Sequence, residues 1–270
     1  MTLPFDRPTG GGWNGRLPEN RTGLLDAGGG SAITEGAVQA GLEWLVRHQH
    51  KNGSWTFSFD EKPCDGRCRH SSDMTNTTGA TGLALLCFLG QGHTHHTESP
   101  YREAIENGIY YLIKRIGPTP HGGDLQEGTM YAHGIATLAL CEAYGMSHDQ
   151  SLRSYAQSCV DFICHAQHKH GGWRYSPGQQ GDTTVFGWQM MALKSAKMAG
   201  LRVPTEITHN ARRFLDHVGS EDGAFYGYLQ SGIEPTPTSV GLLCRMYTGW
   251  PRNHRPLMRG VRYLAARGPS

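Results

Sequence analysis

The sequence predicts an all-α chain built from stacked helical hairpins, and three observations predict it. An aromatic residue followed by an aliphatic one recurs at Trp44-Leu45, Tyr111-Leu112, Phe162-Ile163, Phe214-Leu215 and Tyr263-Leu264. The steps are about 50 residues after a longer first one, the period of a repeat protein. A second set of apolar segments, 80–89, 131–144, 184–199 and 238–247, lies between these pairs, each bounded by Gly, Pro or polar runs as helix ends require. Finally, no run alternates apolar and polar residues with period two over a useful length, so strands are not expected.

Taken in order, residues 1–32 carry Pro and Gly without an apolar stretch and are expected to form an irregular leader rather than a signal peptide. Residues 33–270 then form the repeat domain, about four and a half hairpins. Each aromatic–aliphatic pair is expected to open a helix, and a small residue stands three positions before it: Gly41, Gly108, Cys159, Ala211 and Gly260. Three pairs have a second aromatic eleven residues later, Trp55, Trp173 and Phe225, each with a Gly two positions earlier (Gly53, Gly171, Gly223). The Tyr111 repeat keeps Gly122 but lacks that aromatic. Hairpins of this kind cannot bury their apolar faces alone and must stack on their neighbours.

Composition excludes some functions. Formal net charge is +2 and charged residues make up 18%, so no nucleic-acid partner is implied. No apolar run approaches the ~20 residues of a membrane span. There is no phosphate-binding Gly loop, dinucleotide fingerprint or Ser-His-Asp signature. The 7 cysteines are odd in number, and Cys87, Cys141, Cys159 and Cys244 fall in apolar segments. That usage fits a reducing compartment, so a cytoplasmic location is expected.

Two turns carry a longer pattern. Trp44-Leu45 leads to Gln49, Gly53 and Trp55, and Phe162-Ile163 leads to Gln167, Gly171 and Trp173. This resembles the QW motif of the terpenoid cyclases, and the resemblance extends over roughly residues 35 to 267. The chain looks most like bacterial prenyltransferase/squalene-cyclase repeat proteins, whose fold is an α/α toroid of inner and outer helices. The resemblance implies that the ring is incomplete here, or that a further C-terminal segment or a second copy closes it. Physically, the motif suits a fastening role: Gly permits a tight helix exit, Gln satisfies orphaned backbone groups, and Trp covers the polar contact.

The resemblance also directs attention to the chemistry. Class II cyclases protonate their substrate with an Asp-x-Asp-Asp-Thr motif. The matching stretch here is Gln179-Gln180-Gly181-Asp182-Thr183, with Gly181 at the position of the proton donor. Protein prenyltransferases place Asp-x-Cys at the same helix start to hold zinc, and here the stretch reads Asp182-Thr183-Thr184, with Thr a poor zinc ligand. Asp182 is therefore a candidate acid and also a natural helix N-cap.

Other candidates stand on their own residues. Glu142, inside an apolar run, would act as a general acid if buried alone. His133 shares a helix face with Thr137. Trp173, Tyr175, Phe186, Trp188, Tyr226 and Tyr228 would line a cavity for an apolar ligand, or serve as packing. Cys64, Cys68 and His70 form Cys-x3-Cys-x-His near Asp65 and Asp73, a spacing open to a zinc clip, a disulfide or free thiols; no other cofactor is expected. His93, His95 and His96 read as a solvated loop. After Glu234 there is no acidic residue, and Arg245, Arg252, Arg255, Arg259, Arg262 and Arg267 give that end a positive field. Together these readings predict either a protein that holds an isoprenoid or other apolar ligand in a central cavity, with terpenoid cyclisation by an altered acid, or a non-catalytic scaffold for protein or peptide partners.

Overall fold

A computed structural model describes residues 13–16, 20–21, 23, 25, 28–59, 64 and 67–268. Nine α-helices fall among the described residues: α1 (Ala32–Arg47), α2 (Thr77–Gly90), α3 (Arg102–Arg115), α4 (Met130–Ser147), α5 (Gln150–Ala166), α6 (Thr183–Met198), α7 (Thr205–Val218), α8 (Pro235–Tyr247) and α9 (Arg255–Ala265). The four apolar segments of the sequence fall on α2, α4, α6 and α8, the third passing the end of α6 by one residue, Ala199.

These four helices form one layer. In it α2 packs on α4, α4 on α6 and α6 on α8. We term these four inner and the others outer: α1 packs against α2, α3 against α2 and α4, α5 against α4 and α6, and α7 and α9 against α8. Small residues let the inner helices approach closely. A Cβ on Gly82 would stand 3.0 Å from the Ala136 Cα, and one on Gly187 would stand 2.5 Å from Val240 Cγ1. Between the layers lies the core, with Leu85, Phe88, Leu89, Ile105, Leu112, Leu140, Ile163, Phe186 and Leu215 all at most 1% exposed. Each such side chain contributes about 1.5–3 kcal/mol by leaving water.

Side chains cap the inner helices. Asn76 accepts from Gly79 N–H, Thr129 from Tyr131 N–H, and Asp182 from Thr184 and Val185 N–H. The outer helix α1 starts with a reciprocal box between Ser31 and Thr34.

The aromatic–aliphatic pairs do not open helices, contrary to the expectation. Each lies in the last turns: Trp44-Leu45 in α1, Tyr111-Leu112 in α3, Phe162-Ile163 in α5, Phe214-Leu215 in α7 and Tyr263-Leu264 in α9. The pair is tied to the helix exit because the turn folds back on it. Trp55 Nε1 donates to the Leu45 carbonyl and Trp173 Nε1 to the Ile163 carbonyl, both at 2.8 Å. Short strands also occur where none was expected. Two antiparallel ribbons, β1 (Gly117–Thr119) with β2 (Gly122–Asp124) and β3 (Gly219–Ser220) with β4 (Phe225–Tyr226), occupy the turns after α3 and α7. Strands of two or three residues are too short to show a period.

The leader is not wholly irregular. Trp13–Arg16 form a 3₁₀ turn. It lies against the C-terminal part of α4, where a Cβ on Gly145 would stand 2.1 Å from the Trp13 ring.

Candidate functional site

The QW-like turns are structural, and their geometry is the same twice. Gln49 Nε2 donates to the carbonyls of Gly53 (3.0 Å) and Ala104 (2.8 Å); Gln167 Nε2 donates to those of Gly171 (3.0 Å) and Ile207 (3.0 Å). Gly53 (φ 90) and Gly171 (φ 92) are left-handed. A Cβ there would strike the carbonyl of Asn107 or Asn210, just before the small residues Gly108 and Ala211. Each turn thus docks on the next outer helix, which explains the small residues Gly108 and Ala211; Gly41, before the first pair, has no such contact, and a Cβ there would meet nothing within 4 Å.

The polar groups with the most unusual surroundings meet at the start of α6. Asp182 is 0% exposed. Its Oδ1 accepts from Thr184 N–H, Val185 N–H and Thr184 Oγ1. Because that hydroxyl donates to a carboxylate, the Tyr131 hydroxyl is the donor in its own contact with Thr184 Oγ1. Asp182 Oδ2 and Arg174 Nε face each other at 3.8 Å, and both are buried without a hydrogen-bond partner among the described residues. The Tyr175 and Tyr228 hydroxyls are 3.0 Å apart, and the Tyr175 ring lies 6.1 Å from that of Tyr131. Burial, then the contact with Tyr175, pushes the Tyr228 hydroxyl up to about 12. Burial also raises Tyr131, against the opposing contact with Thr184. Three phenols, those of Tyr131, Tyr175 and Tyr228, lie around the N-terminus of α6.

Asp182, Glu142 and His133 are not brought together. Glu142 is paired: Arg16 Nη1 donates to its Oε2 at 2.6 Å, and Ser195 Oγ to its Oε1 at 3.2 Å. Ser195 lies 13 residues beyond Asp182, roughly 20 Å along α6. His133 is 0% exposed and its ring is fully engaged. Its Nδ1 accepts from Leu125 N–H at 3.1 Å and its Nε2 faces the Cys159 carbonyl at 3.1 Å, which fixes the neutral tautomer with the proton on Nε2. Burial pushes this imidazole down to about 4, against the hydrogen bond to Cys159.

The six aromatic candidates divide evenly. Trp173 and Phe186 are buried against each other and Phe214, and Tyr226 is buried under Arg245, whose Nε donates to the phenol oxygen at 2.9 Å. These three present no face to a ligand. Tyr175, Tyr228 and Trp188 remain accessible. Of the C-terminal arginines, Arg245 is buried and paired with Asp216, while Arg255, Arg259 and Arg262 share an exposed groove on α9 with Asn253 and Met258.

Two groups of donor atoms converge among the described residues: His48 with Cys64 and Cys68, and His95 with His96 and Asp149. His70, expected beside the cysteines, is exposed and outside the first group; Asp65 lies outside the described residues. The local sequence gave no signal for His48, which sits at the end of α1. In the second group, His95 is 8% exposed rather than solvated, because Asp149, the N-cap of α5, draws its Nε2 to 3.0 Å. Although burial opposes it, the hydrogen bonds from His95 and Ser151 hold the Asp149 carboxyl down at about 2. His95 Nδ1 in that cluster is buried without a hydrogen-bond partner among the described residues.

A further residue escaped sequence reading. Glu127, at φ 42, accepts from the N–H groups of Thr77 and Thr78, both at 2.7 Å, and so closes the start of α2 from a different hairpin. No family model matches the chain, and no curated protein matches it.

Proposed function

We propose that the chain is an α/α toroid of the prenyltransferase and squalene-cyclase type that binds an isoprenoid or similar apolar molecule along its inner helices. One observation carries this reading. Apolar residues are at least partly exposed on three of the four inner helices: Leu83, Leu86 and Cys87 on α2, Trp188 and Met191 on α6, and Val240 and Leu243 on α8, beside Lys194 and Ser239, while α4 is buried from 132 to 145. Surfaces of the outer helices are charged instead, with Arg102, Glu103, Glu106 and Lys114 exposed on α3 and Glu206, Arg212, Arg213 and Asp216 on α7. Accessible apolar side chains on helices of one layer, with polar groups at the start of α6, suit a ligand with an apolar body and a polar head.

The polar end is the α6 N-terminus. A hydroxyl head group there would donate to Asp182 Oδ2 and accept from Arg174 Nε, two buried atoms 3.8 Å apart that lack a hydrogen-bond partner among the described residues. Binding rather than cyclisation is the reading, because Gly181 supplies no acid and Asp182 Oδ1 is committed to the helix cap. No helix among the described residues is long and apolar enough to cross a membrane.

The test is a titration of the purified chain with farnesol, a prenyl alcohol, followed by tryptophan fluorescence. Saturable quenching is expected, weakened about tenfold in Trp188→Asp by loss of ~1.4 kcal/mol of contact. No saturable change, or equal binding by the variant, would overturn the reading.

A further inference from the structure

We propose that the chain carries a metal site, independent of the ligand reading, in which His48 Nε2 and the Cys64 and Cys68 thiolates bind a zinc-class divalent ion. The three donor atoms lie within 4.8 Å of one another. A set of two sulfurs and one imidazole is the donor chemistry of zinc.

His48 supplies the independent observation. Its Nδ1 is 2.7 Å from the Trp44 carbonyl oxygen, which can only accept, so the proton is on Nδ1 and Nε2 carries a bare lone pair. The residue is 6% exposed, and Nε2 has no hydrogen-bond partner among the described residues. A buried acceptor left so is unusual in a native protein. A cation at Nε2 removes the anomaly. A carbonyl that takes the second ring N–H is also the arrangement that orients metal-bound imidazoles.

Packing fixes the ring in place. It stacks on Trp44 with centroids 3.7 Å apart and an interplanar angle of 22°, and it meets the edge of Phe59 at 6.3 Å. Cys68 N–H reaches Cys64 Sγ at 3.4 Å, so the two cysteines are drawn onto one turn. Cys64 is buried and Cys68 is half-buried, which leaves a route for the ion from solvent. Three protein ligands leave one tetrahedral position to water. The ion would tie the long connection between α1 and α2 to the end of α1, a segment that the second QW-like turn, with Ala166 at the place of His48, joins more briefly.

Cobalt(II) added to the reduced, full chain tests the proposal. One ion per chain is expected, with a thiolate-to-cobalt charge-transfer band, and zinc displaces it. The band is lost in Cys64→Ser and Cys68→Ser, shifts in His48→Ala, and is unchanged in His70→Ala. Should a cysteine variant fail to fold by circular dichroism, alkylation of the wild-type chain replaces it, and zinc is expected to slow iodoacetamide labelling of Cys64 and Cys68 at least tenfold. Absence of both the band and the protection in reduced protein overturns the proposal. So does a band lost in His70→Ala but untouched in His48→Ala.

Discussion

Gln167 Nε2 donates to the Ile207 carbonyl at 3.0 Å, joining the exit of α5 to the next outer helix, α7. The same amide closes its own turn on Gly171. Gln167→Ala strips both carbonyls of their donor, and a loss of about 2 kcal/mol is expected. A urea unfolding curve measures it, with the m-value unchanged because the fold is kept. Gln49→Ala should behave alike.

Gly171 is the stricter position in that turn. At φ 92 any side chain is strained, and a Cβ would stand 1.8 Å from the Asn210 carbonyl oxygen. Gly171→Ala should cost more than about 3 kcal/mol. Gly178→Ala is the control: its φ of 69 is also positive, but nothing lies within 4 Å, so about 1 kcal/mol is expected from the backbone alone. Thermal unfolding of the two variants separates the clash from the strain.

The QW-like repeats were legible in the sequence because Gly, Gln and Trp each do local work at fixed spacing. Each pair was tied to a helix, but to one that starts at the pair rather than one that ends there. Aromatic–aliphatic pairs look the same at either terminus, and only the Trp bond back to Leu45 or Ile163 places them at the exit. His48 was out of reach for a different reason. It precedes Cys64 by a helix end and a long loop, whereas His70, two residues from Cys68, has the tighter spacing and the wrong position. Glu127 was missed likewise, since its partners Thr77 and Thr78 belong to another hairpin.

His133 makes stability depend on pH. Its folded value, about 4, is below the ordinary 6.5, so the folded state favours the neutral ring. The contribution is complete above pH 6.5 and is lost as pH falls from there toward 4, by roughly 3 kcal/mol in all. Unfolding at pH 7 and pH 4.5 should show this loss, and His133→Gln should flatten it. Asp149, held at about 2, acts in a lower window, its contribution being lost only as pH drops from about 4 toward 2.

Arg16 neutralises Glu142 from the N-terminal 3₁₀ turn. Arg16→Ala leaves a buried carboxylate with Ser195 as its remaining donor, and about 2 kcal/mol should be lost. In the Arg16→Ala, Glu142→Gln double variant about half of that should return, because the amide needs no counter-charge. Chemical denaturation of the four proteins in this cycle gives the coupling.

Asp182 separates capping from acid chemistry. Asp182→Asn keeps an oxygen for Thr184 and Val185 N–H, so it should cost less than half of the ~1 kcal/mol expected for Asp182→Ala. The same amide loses the charge that faces Arg174, and farnesol binding should weaken in both variants.

Native mass spectrometry of the freshly purified chain, with organic extraction of the same sample, addresses the central claim most directly. The account predicts a chain carrying one apolar molecule, which extraction recovers as a prenyl or similar lipid and which Trp188→Asp fails to retain. An empty chain that also takes up no added farnesol would contradict it, and would assign the exposed apolar residues of α2, α6 and α8 to a protein partner instead.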